Sequence, residues 1–144
     1  MDSSLEVSLN GSEMKKLLEL QFNEVREKFD LKKVEVDVLY YLSQHRDYDT
    51  PTDIFCRLKL NRGHVSQAID SLCRRGYIEP LQDKRDRRYM HYATTAAAQE
   101  AIDDITRVHE TLNEYIFKGV TAAEVQTYRK VCRKICDNLK EMLE

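Results

Sequence analysis

Apolar residues recur at helical spacing along most of the chain and predict a mainly helical fold. They repeat every three or four residues over 12–29 and over 34–45, as on one face of a helix. A short third helix is indicated at 50–53, where a capping threonine precedes a proline suited to the first turn and an early aspartate. Residues 1–11 lack this period, and we expect a loose arm there.

A fourth helix is predicted between a capping residue and a terminal glycine. The Asn61 side chain can accept a hydrogen bond from a first-turn N–H, and Gly76 suits a left-handed position after the last turn. One face of this helix is apolar, with Val65, Ala68, Ile69 and Leu72. The opposite face is short and polar, with Gly63, Ser66, Gln67, Asp70 and Arg74.

Two strands joined by a charged connector follow this helix. Aromatic and branched residues over 77–82 and 88–93 favour strands, and 83–87 has the length of a hairpin loop. The segment 83–88 contains four cationic side chains. A helix followed by such a hairpin predicts a helix-turn-helix with a wing.

The last two helices are predicted from Thr95 to about Gly119 and from Thr121 onward. Apolar residues of the final helix alternate four- and three-residue steps, which defines a heptad seam at Val125, Tyr128, Cys132, Ile135, Leu139 and Met142. This seam exceeds what one small winged domain can cover, so we expect the chain ends to pack against a second subunit. An intramolecular helical hairpin is the alternative.

The predicted architecture is therefore six helices and a two-stranded wing in a single domain over 1–144. Residues 34–95 form the winged helix-turn-helix, and 12–30 and 96–144 form the dimerisation helices. Charge supports this division, because nine Lys or Arg face four acids over 57–88 while the whole chain carries a net charge of -2. A basic surface on an acidic body favours nucleic acid as the partner.

The sequence resembles one known family in this region. Residues 60–78 follow the pattern L-x-R-G-x-V-S-x-x-I-D-x-L-x-R-R-G-Y-I, and 83–88 follow D-x-x-D-R-R. Both resemble the winged helix-turn-helix core of the multiple-antibiotic-resistance regulator (MarR) family. The resemblance implies that the helix from Asn61 lies in the DNA major groove. It also implies that Arg88 enters the minor groove and that Asp86 orients it.

The chain departs from the family pattern at two places. Lys84 replaces a proline that is common after the first wing aspartate, and residues 94–98 replace a Leu-Thr-x-x-Gly closure. Ser and Gln can pair with base edges, and arginine is attracted to guanine, phosphate and a narrow minor groove. The predicted DNA contacts are Arg62, Gly63, His64, Ser66, Gln67, Arg74, Lys84, Arg85, Asp86, Arg87 and Arg88. A solvated helix face and a solvated turn are the alternatives, with a half-buried structural role for His64.

Catalytic and metal-binding patterns are missing from the sequence. It has no glycine-rich phosphate loop, no His-Glu-x-x-His and no Gly-x-Ser-x-Gly, and its four histidines are dispersed. We therefore expect no enzyme, no cofactor and no metal. Cysteines 56, 73, 132 and 136 are scattered, and we expect buried, reduced thiols. No apolar run is long enough to span a membrane and the start lacks a signal peptide, so a cytoplasmic location is expected.

The function we predict is sequence-specific binding of double-stranded DNA by a homodimeric transcriptional repressor that acts on a pseudo-palindromic operator. A small-molecule effector is expected between the dimerisation helices and the winged region, with Leu17, Phe22, Tyr41, Leu42 and Ile105 as candidate lining residues. For each of them, plain core is the favoured alternative. One alternative is a winged-helix module that docks an acidic protein. Another is a thiol-based redox regulator, in which Cys73 beside Arg74 and Arg75 is the first suspect because those neighbours can lower its pKa.

Overall fold

The computed structural model describes residues 11–144, which form six α-helices, a 3-10 turn and one two-stranded sheet. In chain order the elements are α1 Gly11–Phe29, α2 Lys33–Gln44, α3 Pro51–Leu58, α4 Arg62–Arg74, β1 Ile78–Gln82, β2 Met90–Thr94, the 3-10 turn Ala96–Ala98, α5 Gln99–Ile116 and α6 Ala122–Leu143. The predicted mainly helical, winged fold is confirmed. Apart from Gly11, which begins α1, the arm expected over 1–11 lies outside the described residues.

Local capping sets the helix ends where the sequence predicts them. The Asn61 carboxamide oxygen accepts a hydrogen bond from the Gly63 backbone N–H at 2.8 Å, and the Thr50 hydroxyl accepts one from the Asp53 N–H at 3.2 Å. At the other end of α4, Gly76 has a φ of +71° and the Tyr77 N–H donates to the Leu72 carbonyl at 2.9 Å. This left-handed closure turns the chain directly into the wing.

The chain divides into two compact units, one ending at Val108 and one spanning His109–Glu144. The first unit contains the hydrophobic core. Its fully buried side chains come from every helix from α2 to α5 and from β1, and they include Val38, Leu39, Ile54, Val65, Leu72, Ile78 and Ile105. The apolar face predicted for α4 is thus in the core.

The second unit contains the end of α5 and all of α6, which begins at a capping box of Thr121 and Glu124. No residue of α6 is buried. Its large exposed apolar side chains are Tyr128, Val131, Ile135, Leu139, Met142 and Leu143. Cys136, on the same helix, is exposed, as is Cys56, so the expectation of buried thiols is wrong at these two positions.

No helix among residues 11–144 is long and apolar enough to cross a membrane.

The wing is an antiparallel pair in which Ile78 faces Thr94 and Gln82 faces Met90. β2 begins two residues later than predicted. Its expected first residue, Arg88, donates its backbone N–H to the Asp86 carboxylate at 3.0 Å and so belongs to the turn.

The predicted start of the next helix is also wrong. Thr95 does not cap it, because its hydroxyl donates to the Gly76 carbonyl at 2.5 Å, and α5 starts only after a 3-10 turn.

We predict that Leu39→Ala lowers the free energy of unfolding by about 2 to 5 kcal/mol, because the substitution removes a fully buried side chain from a packed core. Leu81→Ala is the matched control, since Leu81 is 47% exposed on the wing. Urea unfolding followed by circular dichroism measures both. A loss at Leu39 no greater than at Leu81 would contradict the packing described for α2.

Candidate nucleic-acid interface

The outer face of α4 is fully exposed. Val65 and Leu72 are buried, whereas the six residues predicted to contact DNA from this helix are exposed: Arg62, Gly63, His64, Ser66, Gln67 and Arg74. Gly63 also has a local role, because a Cβ added there would lie 3.2 Å from the Asn61 carboxamide oxygen that caps the helix. The helix therefore presents a continuous polar surface that begins at its capped first turn.

Two long-range polar contacts position α4, and neither was found from the sequence. The buried carboxylate of Glu35 accepts from the Ser71 hydroxyl at 2.7 Å and from the Lys32 N–H at 2.8 Å, which joins α4 to the start of α2. At the C-terminal end of α4, the Arg75 guanidinium donates to the carbonyls of Phe29 and Asp30 at the end of α1. Both contacts join residues more than 30 positions apart, which sequence periodicity does not register.

Two aspartates build the turn at the wing tip. One Asp83 carboxylate oxygen accepts from the Arg85 N–H at 2.7 Å and from the Asp86 N–H at 2.9 Å. Asp86 in turn accepts from the Arg88 guanidinium, at 3.0 Å from Nε and 2.8 Å from Nη2. The contact between Asp86 and Arg88 that the family resemblance implies is present. It lowers the pKa of Asp86 and raises that of Arg88.

The cations of the tip point into solvent. Lys84, Arg85 and Arg87 are exposed, and the Arg88 side chain is 84% exposed although it is paired. Arg88 is therefore held in one orientation by a carboxylate without being hidden from an incoming ligand. The tip combines three exposed cations with a fourth whose direction is fixed.

His91 joins the wing to the body of the first unit. Its Nδ1 contacts the carboxylate of Asp49, a buried residue of the loop between α2 and α3, and its Nε2 lies 2.7 Å from the Asp83 carboxylate. These two hydrogen bonds raise the pKa of His91. The contact with His91 and the N–H groups of the turn lower the pKa of Asp83 to about 2. Sequence reasoning missed this pairing, because His91 and Asp49 are 42 residues apart.

A cationic groove of about 350 Å³ runs beside α4. Its lining includes His64 and Gln67 from α4 and, from the preceding segment, Arg26, Lys32 and Lys33. These three cations were not predicted as site residues. Arg26 lies on α1 and the two lysines lie at the start of α2, far from α4 in sequence, so only tertiary packing brings them beside the polar face. The basic surface is thus wider than the helix and the wing tip alone.

A second pocket, of about 590 Å³, lies between the end of α2, β2 and the start of α5. Among the five candidate effector residues, only Leu42 lines it. Tyr41 and Ile105 are buried in the core, Phe22 packs against that core, and Leu17 is 38% exposed. The lining is mixed in polarity and includes Arg46, Tyr92, Gln99, Ile102 and Asp103.

The environment of Cys73 does not activate its thiol. The residue is half-buried, and burial raises its pKa, with a further contribution from the negative charge of Asp70. The expected lowering by Arg74 and Arg75 is absent. Arg75 explains part of this, because its guanidinium is directed to the carbonyls at the end of α1.

Comparisons with known proteins agree with this geometry. The sequence pattern of a winged helix DNA-binding domain matches residues 31–98. The transcriptional repressor MprA of Escherichia coli K12 is 23% identical over 100 residues, which cover 69% of this chain and 57% of MprA. The crystal structure of the Staphylococcus aureus MepR–DNA complex is similar with a TM-score of 0.77 at 19% identity, covering 92% of this chain and 95% of MepR. The structure of MarR gives 0.62 at 22% identity, covering 96% and 98%.

The fold, the exposed polar helix and the basic tip together define a winged helix domain of the DNA-binding class. Its helix and wing motifs resemble those of the MarR family, and its fold is shared with the solved structure of MarR. That family consists of DNA-binding transcription regulators. The match to MprA spans little more than half of that protein's length.

Proposed function

We propose that this protein is a transcriptional repressor that binds a specific duplex DNA sequence as a dimer. The observation that carries the proposal is the exposed polar face of α4 beside a wing tip whose arginine is oriented by a carboxylate. The relatives support it, because MprA is a transcriptional repressor and MepR has been crystallised with DNA. A cytoplasmic location follows from this proposal, since the chromosomal target lies there.

In this proposal α4 enters the major groove. Ser66 and Gln67 are exposed, and both side chains can donate to and accept from base edges. Gly63, in the first turn, allows the backbone to approach closely. Arg62 stacks on the Phe55 ring at 4.7 Å, which holds its guanidinium beside the start of the helix for a guanine or phosphate contact.

The wing tip contacts the adjacent minor groove. The pair of Asp86 and Arg88 lies at the surface, and such pairs contribute little to stability. The pair acts by orienting Arg88, because a guanidinium that is already held in one orientation loses less side-chain entropy when it enters the groove. Lys84, Arg85 and Arg87 then serve as phosphate contacts, and so do Lys32 and Lys33 on the other side of α4.

The exposed apolar side chains of α6 support the dimer. Tyr128, Ile135, Leu139 and Met142 are at least half exposed and occupy positions of the heptad seam. A row of that kind is covered by a partner helix in coiled coils, and two-fold pairing of identical chains is the commonest arrangement. We propose a second copy of this chain as that partner. Such a dimer presents two copies of α4 to two half-sites.

We also propose that a small molecule regulates the binding. The pocket of about 590 Å³ between α2, β2 and α5 is a candidate site, because it lies directly against the strand that carries the wing. A molecule that binds there with unequal affinity for two wing positions must shift DNA affinity. The thiol-based alternative loses support from the raised pKa of Cys73.

The first prediction concerns DNA symmetry. Duplexes selected from a random pool should contain a pseudo-palindrome with half-sites about one helical turn, or 10 to 10.5 base pairs, apart. Gel-shift titration with one half-site scrambled should show a large loss of affinity, since one α4 then lacks its target. Full affinity for a single half-site would contradict the dimer. If no duplex is enriched while an acidic protein is bound, the chain is a protein-docking module instead.

The second prediction compares two cations of the tip. Arg88→Ala should weaken binding to the selected duplex more than Lys84→Ala, because only Arg88 is aimed by a carboxylate. Lys84→Ala should act alike on selected and random DNA and reduce the salt dependence of binding. Fluorescence anisotropy at several salt concentrations measures both. Equal losses on the selected duplex would remove the special role of Arg88.

The third prediction concerns discrimination. Ser66→Ala and Gln67→Ala should reduce the preference for the selected sequence over random DNA by about 1 to 3 kcal/mol per lost base contact. Lys33→Ala is the contrasting variant, since a phosphate contact lowers both affinities together. The same anisotropy assay gives the ratio of the two affinities. An unchanged preference in both α4 variants would show that α4 does not read the bases.

The fourth prediction separates the two kinds of regulation. Peroxide should leave DNA binding unchanged in the native chain and in a variant with all four cysteines replaced by serine, because burial raises the pKa of Cys73, the first suspect. A screen of small molecules should instead yield compounds that release DNA from both proteins. Release by peroxide that requires the cysteines would establish redox control and overturn this part of the proposal.

A further inference from the structure

We propose that His91 is a positioning residue for DNA binding, whose protonated ring clamps the wing tip to the loop between α2 and α3. Loss of the proton breaks one of the two contacts of the ring and weakens the binding of the wing to DNA. This inference rests on the proposed DNA-binding function and adds a residue that does not touch DNA itself.

The geometry places His91 between two parts of the fold. Its Nδ1 contacts Asp49 in the loop before α3, and its Nε2 contacts Asp83 at the base of the tip. The other carboxylate oxygen of Asp83 accepts the N–H groups of Arg85 and Asp86, so the same side chain both forms the turn and receives the clamp. Beside it, the Tyr92 N–H donates to the Asp49 carbonyl at 3.1 Å.

The chemistry requires the charged ring. Ionised carboxylates only accept hydrogen bonds, and an imidazole ring has two N–H donors only when it is protonated. A neutral ring turns a lone pair toward either Asp49 or Asp83, and that contact becomes repulsive. The clamp is therefore complete in the imidazolium form and half-broken in the neutral form.

The surrounding charges decide the direction of the pH dependence. Arg46, Lys84 and Arg85 line the same shallow surface and disfavour a further positive charge. The two carboxylates lie within hydrogen-bonding distance of the ring, whereas the cations extend into solvent, so the acids prevail and the pKa of His91 is raised. The clamp is thus intact below the ordinary histidine range. It is lost as the pH rises through the raised pKa, and Asp83, with a pKa of about 2, stays ionised throughout.

The consequence for DNA binding follows from the position of the tip. When one of the two contacts of His91 is lost, the tip samples more orientations. The apparent affinity for DNA then falls, because a smaller fraction of the molecules has the tip in the orientation that binds. By linkage, bound DNA must in turn favour protonated His91. DNA binding should therefore take up a proton at alkaline pH and raise the pKa of His91.

Asp83→Asn is the sharpest variant for the test. The asparagine oxygen can still accept the N–H groups of the turn, while its amide N–H can donate to a neutral imidazole ring. His91 then satisfies Asp49 and Asn without a proton, so the clamp no longer depends on pH. His91→Gln removes the titrating group altogether. Both variants retain His64 on α4, so any titration of that residue contributes equally to all three proteins.

The experiment measures the affinity for the selected duplex by fluorescence anisotropy, from about pH 6 to about pH 9 at constant ionic strength. We expect the native chain to lose about three- to tenfold in affinity over this range, because the neutral ring leaves the tip held by one contact fewer. His91→Gln and Asp83→Asn should show flat profiles. Thermal unfolding at each pH checks that all three proteins remain folded.

Nuclear magnetic resonance supplies a readout that needs no DNA. The ring signals of His91, assigned by their loss in His91→Gln, should titrate above the ordinary value of about 6.5. The midpoint should fall in Asp83→Asn and rise when DNA is added. Parallel affinity profiles in the native chain and His91→Gln, or an ordinary midpoint for His91, would overturn this role alone. Absence of duplex binding at every pH would overturn the proposed function as well.

Discussion

Burial of one face of α4 is the constraint on which the rest of the structure depends. Val65, Ile69 and Leu72 lie in the core, and each such side chain contributes about 1.5 to 3 kcal/mol when it is removed from water. Rotation of α4 about its axis would expose all three, so its outward face is fixed as strongly as the core itself. The polar contacts of Glu35 and Arg75 then set its position along the axis. The outward polar face of α4 is thus a consequence of core packing.

The basic surface depends on acids for its shape. Asp83 builds the turn of the tip, Asp86 orients Arg88, and Asp49 anchors the strand behind them through His91. Each carboxylate lowers the positive charge of this surface. Asp86 gives Arg88 a defined direction, whereas Asp83 and Asp49 hold the turn and the strand in place. Long-range attraction requires only net charge, whereas entry into a groove requires geometry. The motif D-x-x-D-R-R over 83–88 supplies both the positive charge and the geometry.

Features set by neighbours in sequence could be predicted, and features set by distant contacts could not. The ends of α4 follow from Asn61 and Gly76, because the hydrogen bonds that close the helix there join residues at most five positions apart. The start of α5 was misplaced, because Thr95 bonds to Gly76, 19 residues earlier, instead of capping the next helix. The His91 clamp and the lysines beside α4 were missed for the same reason. Thiol exposure on α6 could not be deduced either, because a heptad seam predicts which residues lie on one face and not which of them a neighbour covers.

The central claim is that the outward face of α4 and the wing tip contact DNA together. Hydrogen–deuterium exchange of the whole chain, with and without the selected duplex, tests it most directly. If both contact DNA, exchange should be slower at 62–67 and 83–88 in the complex and should change little along α6, which we propose pairs the subunits in both states. Slower exchange confined to α3 or α6, with none in α4 or the tip, would contradict it.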